Sequence, residues 1–407
     1  MRILLISYEY PPHTSTGGIA TYSENIVKAW IANNFEVIVF SANPGGEQIK
    51  TEESDNYKHY LVPAKTEDDF RVAATKLFEL IINRYRIDVI ETPETGAAAL
   101  DIKLLYPSIP LIVKLHTPAV LITRVSNTYL PVFNKLRFVA GSLLRGHFDL
   151  GYWSQTDPRK ASDKEYIICK CADVIFSPSQ ALKKWSTTFW GLPDAKVKVV
   201  PNPFVLDQKY FNITADKKQK LICFIGKLSV LKGVYALTKA MKVILSKNRE
   251  YRFVVVGREE PELIYNEKML SFMKRELKPY LDRVEFTGPL DKNALHAIYE
   301  RASVSVVPSL WENFPSVVLE SMASLCCVVA SRVGGIPEIV QHEHNGLLFS
   351  AKNHNQLVKM LQRTIDNEAE RRRFAVNARN SISNMMNQES VHEKIIMPYK
   401  RFAGQRD

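Results

Sequence analysis

Short apolar runs rich in β-branched residues alternate along the chain with longer segments in which apolar residues recur every three or four positions. The short runs are apolar on both faces, which is typical of parallel strands covered by helices on either side. The predicted strands fall into two series: Arg2–Tyr8, Glu36–Ser41, Asp88–Glu91, Leu111–His116, Asp173–Ser177 and Lys196–Pro201, then Lys220–Gly226, Tyr251–Gly257, Arg283–Thr287, Val304–Pro308, Cys327–Ser331 and Gly346–Phe349. Predicted helices include Thr21–Asn33, Asp68–Asn83, Val234–Lys247, Lys292–Arg301 and Asn355–Asn367.

This alternation of strand and helix, repeated twice, predicts an α/β protein with two doubly wound, Rossmann-like domains. The length of 407 residues agrees, because it exceeds what one ordinary core accommodates. Two prolines bracket a turn residue at Pro201-Asn202-Pro203 and end the first strand series. We therefore expect domains at 1–203 and 204–387.

The net charge of the chain favours anionic binding partners but does not identify which kind. A net charge of +11 favours an anionic partner such as a nucleotide, a phospholipid surface or nucleic acid. The sequence has no apolar stretch long enough for a membrane span, and Glu9 interrupts the first apolar run too early for a signal peptide. The five cysteines form no CxxC pair, so we expect reduced structural thiols in a cytoplasmic protein.

Residues 118–148 break the regular alternation. This segment mixes apolar residues with the basic residues Arg124, Lys135, Arg137 and Arg145 and contains no acidic residue. Two interpretations stay open: a basic amphipathic stretch that lies on an anionic membrane, or a helical insertion packed on the first domain with its basic face in water.

The segment Glu312–Glu320 follows the predicted strand Val304–Pro308. Pro315 suits the first turn of a helix, and a helix beginning there leaves the backbone amides of Ser316 and Val317 as an anion site. Two carboxylates beside a phosphate would repel it. Glu312 and Glu320 therefore fit such a site only if they accept hydrogen bonds from neutral hydroxyls. The alternative is that neither residue binds a ligand: Glu320 is then an ordinary carboxylate of a helix and Glu312 an ordinary charged residue of a loop.

A second candidate for ligand binding is the loop that directly follows a predicted strand, Gly226-Lys227-Leu228-Ser229-Val230-Leu231-Lys232-Gly233. Ligands of open α/β sheets bind at the carboxyl ends of strands, where two lysines can neutralise a departing diphosphate. Neither the GxxxxGK[ST] nor the GxGxxG spacing is present. A surface loop with two lysines is the alternative.

Two further candidates lie in the first predicted domain. Gly17-Gly18 precedes a predicted helix, so bare amides there can approach a ligand, although a simple hinge has the same pattern. His116 ends the predicted strand Leu111–His116, where it is either a site residue or a packed side chain.

Together these segments resemble family 4 (GT4) of the retaining glycosyltransferases, which have the GT-B fold. The resemblance covers nearly the whole chain, and its most specific elements are the E-x7-E pair Glu312/Glu320, the Gly226–Gly233 loop and the turn Gly334–Glu338. It implies two Rossmann-like domains facing an interdomain cleft, with the donor mostly on the second. It also implies that the C-terminal helix at 388–407 crosses back to the first domain.

The resemblance assigns roles to individual residues. Glu320 would hold ribose hydroxyls, Glu312 the donor sugar, and His116 would line the reacting sugar. The implied donor-binding residues are Gly17, Gly18, Lys227, Lys232, Glu312, Asn313, Phe314, Pro315, Ser316, Val317 and Glu320, and the implied catalytic residues are His116, Lys232 and Glu312. The chain departs from the family in having Lys227 where arginine is usual, and Pro203 where glycine commonly follows Asn202.

The implied activity is metal-independent transfer of a hexose-type sugar from a UDP- or GDP-sugar to an acceptor hydroxyl with retention. No Asp-x-Asp motif is present, so neither a bridging metal nor another cofactor is expected. The expected acceptor is a glycan or lipid-linked sugar in surface polysaccharide, lipopolysaccharide or lipid-linked glycan synthesis, with the protein cytoplasmic or peripheral on the inner face of the membrane. Alternatives are a small soluble acceptor, a GT-B nucleotide-sugar epimerase, or a non-catalytic binding protein. A nucleic-acid partner has only the charge in its favour.

Overall fold

The computed structural model describes residues 1–14, 17–128, 132–146, 163–204, 206–260, 267–385 and 392–402. These residues form two compact units. The first unit contains the described residues of 1–119, 163–204 and 392–402, and the second those of 120–146 and 206–385.

The described strands are β1 Arg2–Ser7, β2 Glu36–Asn43, β3 Lys50–Ser54, β4 Tyr57–Pro63, β5 Val89–Pro93, β6 Leu111–Lys114, β7 Val174–Ser177, β8 Val197–Val199, β9 Gln219–Ile225, β10 Arg252–Val256, β11 Val284–Gly288, β12 Ala302–Val307, β13 Cys327–Ser331 and β14 Leu347–Phe349. The described α-helices are α1 Gly18–Ala32, α2 Glu67–Ile81, α3 Leu100–Leu105, α4 Ala119–Asn127, α5 Val132–Leu144, α6 Lys164–Cys171, α7 Gln180–Phe189, α8 Gln208–Phe211, α9 Val234–Lys247, α10 Met269–Glu276, α11 Lys292–Arg301, α12 Ser316–Ala323, α13 Ile336–Ile339, α14 His354–Asp366, α15 Glu368–Met385 and α16 Met397–Lys400.

The first unit is built on an eight-stranded sheet with the order β3-β4-β2-β1-β5-β6-β7-β8. All neighbouring strands are parallel except the β3–β4 pair. The interior strands are almost wholly buried, as their Val- and Ile-rich sequences require when helices cover both faces. The sheet places the carboxyl ends of β1, β5 and β6 side by side.

The second unit has a six-stranded, all-parallel sheet with the order β11-β10-β9-β12-β13-β14. Its core joins the buried side chains of these strands to those of α9, α10 and α14. Here β9 and β12 are neighbours, so the loops that follow them leave the same edge of the sheet. The predicted fold class, two Rossmann-like α/β domains, is confirmed.

All twelve predicted strands are present, and the predicted helices α9 and α11 have the observed bounds. The antiparallel hairpin of β3 and β4 was not predicted. Every residue of β3 is exposed, so its sequence Lys50–Ser54 carries no apolar alternation that would mark a strand.

The units divide between 205 and 206 and between 385 and 386, within two residues of the divisions expected from the sequence. The structure differs from the expectation for residues 120–146, which group with the second unit and not with the first. Val125 packs against the core of the second unit, and Lys352 Nζ donates to Thr128 Oγ1 at 2.5 Å. The composition of this segment does not indicate which of two cores its apolar residues would meet.

The end of the described chain belongs to the first unit. A π-helical turn, His392–Ile396, continues into α16, and Ile395, Ile396 and Tyr399 are buried in the first unit's core. The part of the implied C-terminal helix at 388–391 and 403–407 lies outside the described residues. Among the described helices, none has both the length and the apolar character that a bilayer crossing needs.

Candidate functional site

The loop between β9 and α9 lies against the loops that follow β10 and β12. A Cβ on Gly233, whose φ is +73°, would lie 1.8 Å from the carbonyl oxygen of Pro308. A Cβ on Gly257 would lie 1.9 Å from the carbonyl oxygen of Gly226. Glycine is therefore required at both positions, because backbone fills the space a side chain would need. These close approaches hold the Gly226–Gly233 loop at the carboxyl edge of the sheet.

Lys232 and Glu312 are brought together across these loops. Lys232 Nζ lies 2.5 Å from Glu312 Oε1, and Ser309 Oγ donates to the same carboxylate oxygen at 2.7 Å. The Glu312 side chain is only 12% exposed and that of Lys232 is 28% exposed, so both face a partly desolvated environment. The contact joins a cation and a carboxylate that are 80 residues apart in the chain.

The predicted turn Gly334–Glu338 supports the Glu312 loop. The backbone N–H of Gly335 donates to the carbonyl oxygen of Glu312 at 2.8 Å. A Cβ on Gly334, whose φ is +50°, would lie 1.9 Å from that oxygen. The turn therefore fixes the backbone from which the Glu312 side chain projects.

The helix α12 begins immediately after this loop. Pro315 precedes the helix as its N-cap residue, one position earlier than the first-turn place expected, and no side chain caps the helix. The backbone N–H groups of Ser316 and Val317 precede the first α-helical hydrogen bond, so they form the positive end of the helix. Ser316 is exposed and Val317 half-buried, so solvent reaches this end of the helix.

Asn313, Phe314 and Pro315 form the approach to α12. Asn313 is buried, and its Oδ1 accepts a hydrogen bond of 2.7 Å from Trp311 Nε1. Phe314 is half-buried and Pro315 buried. The hydrogen bond from Trp311 and the burial of Asn313 and Pro315 thus position this segment ahead of the helix.

Glu320 lies in the second turn of α12, where Tyr299 OH of α11 donates to its Oε2 at 2.9 Å. Burial raises the pKa of Glu320, an effect that the hydrogen bond from Tyr299 and the charge of Lys292 partly oppose. Its hydrogen-bond partner is therefore different from that of Glu312. Lys227 has a different acidic partner from Lys232, because its Nζ lies 3.5 Å from Glu260 Oε1, and its side chain is 57% exposed.

The predicted residues of the first unit follow β1 and β6, the two strands that flank β5 in the sheet. Gly17 is the N-cap residue of α1, and a Cβ on the exposed Gly18 would meet nothing within 4 Å. His116 follows β6, and its ring packs edge-on against Tyr22 of α1 with centroids 5.1 Å apart. Helix α1 therefore brings the Gly17-Gly18 pair and His116 to one region of the first unit.

His116 is fixed by a carboxylate that the sequence analysis did not select. The backbone N–H of His116 donates to both carboxylate oxygens of Glu94 at 2.9 Å. The His116 Nδ1 atom lies 3.5 Å from Glu94 Oε2 and 3.2 Å from the carbonyl oxygen of Lys114. Glu94 is fully buried. A carboxylate three residues after the predicted strand Asp88–Glu91 is the signal that could have identified it.

Other buried ionisable groups surround Glu94. Glu91 accepts hydrogen bonds from Tyr22 OH at 2.7 Å and from Tyr399 OH at 2.5 Å. Burial lowers the pKa of Lys114 to about 7, against the opposing attraction of Glu91 and Glu94. Burial, followed by repulsion from Glu94, raises the pKa of Glu165 to about 8. These residues, on separate strands and helices, are brought together only by the order of strands in the sheet.

Two family models match the chain and together span most of it. A model described as Glycosyltransferase Family 4 matches residues 16–208, and one described as Glycosyl transferases group 1 matches residues 207–381. The two matched ranges overlap at residues 207 and 208.

Similar proteins agree with these matches. An uncharacterised glycosyltransferase of Methanocaldococcus jannaschii is 24% identical over 98% of this chain and 98% of its own. A Campylobacter jejuni protein, named as an alpha-1,4-N-acetyl-D-galactosaminyltransferase acting on a glycan linked to PP-undecaprenol, is 28% identical over 45% of this chain and 49% of its own. The solved structure of sucrose-phosphate synthase from Thermosynechococcus elongatus has a TM-score of 0.74 at 20% identity, covering 98% of both chains.

Proposed function

The chain belongs to glycosyltransferase family 4 with the GT-B fold, and on that premise we propose that it transfers a hexose-type sugar from a nucleoside-diphosphate sugar to an acceptor hydroxyl, with retention of configuration. The observation that carries this proposal is the contact between Lys232 and Glu312 beside the uncapped amino end of α12. One place in the second unit thus offers a cation and free amides for phosphate, and a carboxylate for hydroxyls.

The donor would use these groups in the following way. The diphosphate is anionic, so it takes the backbone N–H groups of Ser316 and Val317 and the ammonium group of Lys232. Lys227, whose side chain is exposed, swings from Glu260 to the same diphosphate. Glu312 is then released from its lysine and accepts hydrogen bonds from the donor sugar, while Glu320 accepts them from the ribose. Both carboxylates are partly desolvated, which strengthens such bonds.

The chemical step is a displacement on the same face as the leaving group. The bond between the anomeric carbon and the diphosphate oxygen breaks, and the acceptor oxygen bonds to that carbon from the same side. The acceptor proton passes to the departing diphosphate. Lys232, Lys227 and the helix amides stabilise the charge that develops on the leaving oxygen, which lowers the barrier. The first unit contributes Gly17 and Gly18, whose amides approach the diphosphate, and His116 beside the reacting sugar.

The proposed reaction is independent of metal and of any further cofactor, because the lysines supply the positive charge that a divalent cation would otherwise bring to the diphosphate. Chelation of divalent cations with EDTA should therefore leave the rate of sugar transfer unchanged. A rate that falls on chelation and returns with Mg²⁺ or Mn²⁺ would contradict this part of the proposal.

The proposed acceptor is a glycan or a lipid-linked sugar, and the proposed setting is surface polysaccharide, lipopolysaccharide or lipid-linked glycan synthesis at the cytoplasmic side of a membrane. The C. jejuni relative supports it, because its name gives a PP-undecaprenol-linked glycan as substrate. We propose that the protein is cytoplasmic, or peripheral on the inner face of the membrane that carries such an acceptor.

The test combines binding and turnover on the full chain. A ligand that binds the native state raises its melting temperature, so UDP, GDP and their hexose sugars are compared at equal concentration. The productive donor is then incubated with an undecaprenyl diphosphate-linked sugar, and the anomeric configuration of the product is read by NMR. Retained configuration is expected. Donor binding with neither sugar transfer nor donor hydrolysis would indicate a non-catalytic binding protein. Conversion of the free nucleotide sugar to its epimer would indicate an epimerase.

A further inference from the structure

Helix α5 exposes apolar side chains to a degree unusual for a helix of a globular protein. Val132 is 61% exposed, Phe133 72%, Leu136 54%, Leu143 56% and Leu144 89%. These five residues and Ala140, which is also exposed, are here called the α5 face.

The α5 face is continuous along the helix. At about 100° per residue its members fall within an arc of roughly 120°, with Arg137 at the edge of that arc. The residues on the opposite side, Lys135, Phe138, Val139 and Ser142, are half-buried or buried. The helix therefore turns its smaller and partly polar side towards the protein and its apolar side outwards, the reverse of an ordinary surface helix.

The charged side chains of the segment that contains α5 have one sign. Lys135, Arg137 and Arg145 lie within or directly after the helix, and no acidic residue occurs from 118 to 148. Lys352 is close enough for the charge of Lys135 to lower its pKa, after the larger effect of burial. A second copy of this chain would oppose these cations with the same cations, whereas an anionic lipid surface would neutralise them.

We propose that the α5 face docks on an anionic lipid bilayer, with its apolar side chains among the acyl chains and its basic residues at the headgroups. The helix lies in the plane of the interface and does not cross the bilayer. This inference goes beyond sugar transfer, since it concerns where the protein resides and not which bond it forms. It gives a structural basis to one of the two interpretations of residues 118–148, and it stands or falls by lipid binding alone.

The test is flotation of the full chain with vesicles of phosphatidylcholine, with and without about 30 mole per cent phosphatidylglycerol, because anionic headgroups attract basic segments. We expect flotation with the anionic vesicles, weak flotation with the neutral ones, and partial release at high salt, since screening removes the charge contribution but not the apolar one.

Two variants divide the apolar from the basic contribution. Phe133→Ser with Leu144→Ser should weaken vesicle binding roughly tenfold or more, because two exposed apolar side chains no longer enter the acyl region. Arg137→Gln with Arg145→Gln should weaken it about 25-fold, from about fivefold for each cation near the surface. All four side chains are exposed, and thermal unfolding checks that each variant folds.

Matched controls make the same substitutions elsewhere. Leu80→Ser with Leu104→Ser removes two leucines that are 69% and 62% exposed on other helices. Lys184→Gln with Lys239→Gln removes two exposed cations from α7 and α9. These variants should float like the wild type.

The inference would be overturned by no flotation, by equal flotation with neutral vesicles, or by α5 variants that bind as the wild type does. Self-association that the α5 variants abolish would instead identify a second copy as the occupant, and would overturn it too. Donor binding by calorimetry is measured in parallel. A chain that floats but binds no nucleotide sugar refutes the proposed function and not the docking, and the reverse result refutes only the docking.

Discussion

At the scale of single residues, Lys232 links the Gly226–Gly233 loop to Glu312 through a contact of 2.5 Å. Lys232→Ala should lower kcat by about a hundredfold to a thousandfold, the loss typical of removing one group that stabilises a developing oxyanion. Lys239→Ala, on the exposed side of α9, should leave kcat unchanged. Steady-state kinetics with saturating donor checks both, and a Lys232→Ala enzyme with wild-type kcat would remove this residue from the site.

Gly18 and Gly233 should respond oppositely to a methyl group. A Cβ on Gly18 meets nothing within 4 Å, so Gly18→Ala should leave the melting temperature unchanged or slightly raised while weakening donor binding, because the backbone can no longer approach the diphosphate closely. Gly233→Ala should lower the melting temperature, since its Cβ would clash with Pro308. Calorimetry and thermal unfolding measure the two effects. Unchanged donor affinity in Gly18→Ala would show that the residue is a hinge.

Glu165 should make stability depend on pH. Its pKa is raised from 4.5 to about 8, chiefly by burial. Between these values the folded chain retains a proton that the unfolded chain has lost, so the contribution of Glu165 to stability falls as pH rises from about 4.5 to about 8. Urea unfolding at pH 5 to 8 should show that Glu165→Gln flattens this fall, and that Glu79→Gln on the exposed side of α2 does not. Parallel pH profiles of wild type and Glu165→Gln would contradict the expectation.

The candidate site residues that the sequence predicted in the second unit lie within short segments. The two glutamates at E-x7-E spacing and the lysines of the glycine loop are close in sequence, so a resemblance could select them. Glu94, Lys114 and Glu165 were missed for a physical reason. They gather because β5 pairs with β6 and because α6 returns to the same region, and this pairing is set by the whole sheet. Their burial cannot be inferred from neighbouring residues in the chain.

At the scale of helices and strands, apolar runs located every interior strand but not the β3–β4 hairpin. Interior strands are buried on both faces and carry a strong signal, whereas β3 is exposed throughout and is defined by backbone pairing with β4. Apolar periodicity likewise located α5 as part of an amphipathic segment. It could not show that the apolar side faces outwards, because periodicity records the contrast between two sides and not their direction.

Helix α16 is attached to the first unit by Tyr399. Its hydroxyl donates to the buried Glu91, and its ring packs edge-on against Trp30 and Phe176. Tyr399→Phe keeps the ring but leaves a buried carboxylate without one donor, which should cost about 1–3 kcal/mol of unfolding free energy. Urea unfolding provides the measurement, with Lys400→Ala on the exposed side as the control. A loss within error of the control would mean that Tyr22 alone suffices for Glu91.

At the scale of the whole molecule, the first unit is assembled from three separated stretches of chain and the second from two. Removing the chain after Met385 takes away Ile395, Ile396 and Tyr399 and exposes the core around Trp30. Calorimetric scanning of this truncation should show a lowered transition for the first unit, while the transition of the second unit, complete at 385, keeps its temperature. If both transitions keep their temperatures, the final turn adds little to the first unit's core.

The contribution of residues 392–402 to the first unit has a consequence for biosynthesis. A ribosome releases the amino-terminal residues first, and domains generally fold in the order of their emergence. In this protein the second unit has all its residues once residue 385 has left the exit tunnel. The first unit at that point still lacks Ile395, Ile396 and Tyr399, which complete its core. The unit whose synthesis begins first is thus completed last, and its apolar surface stays exposed until residues 392–402 have emerged.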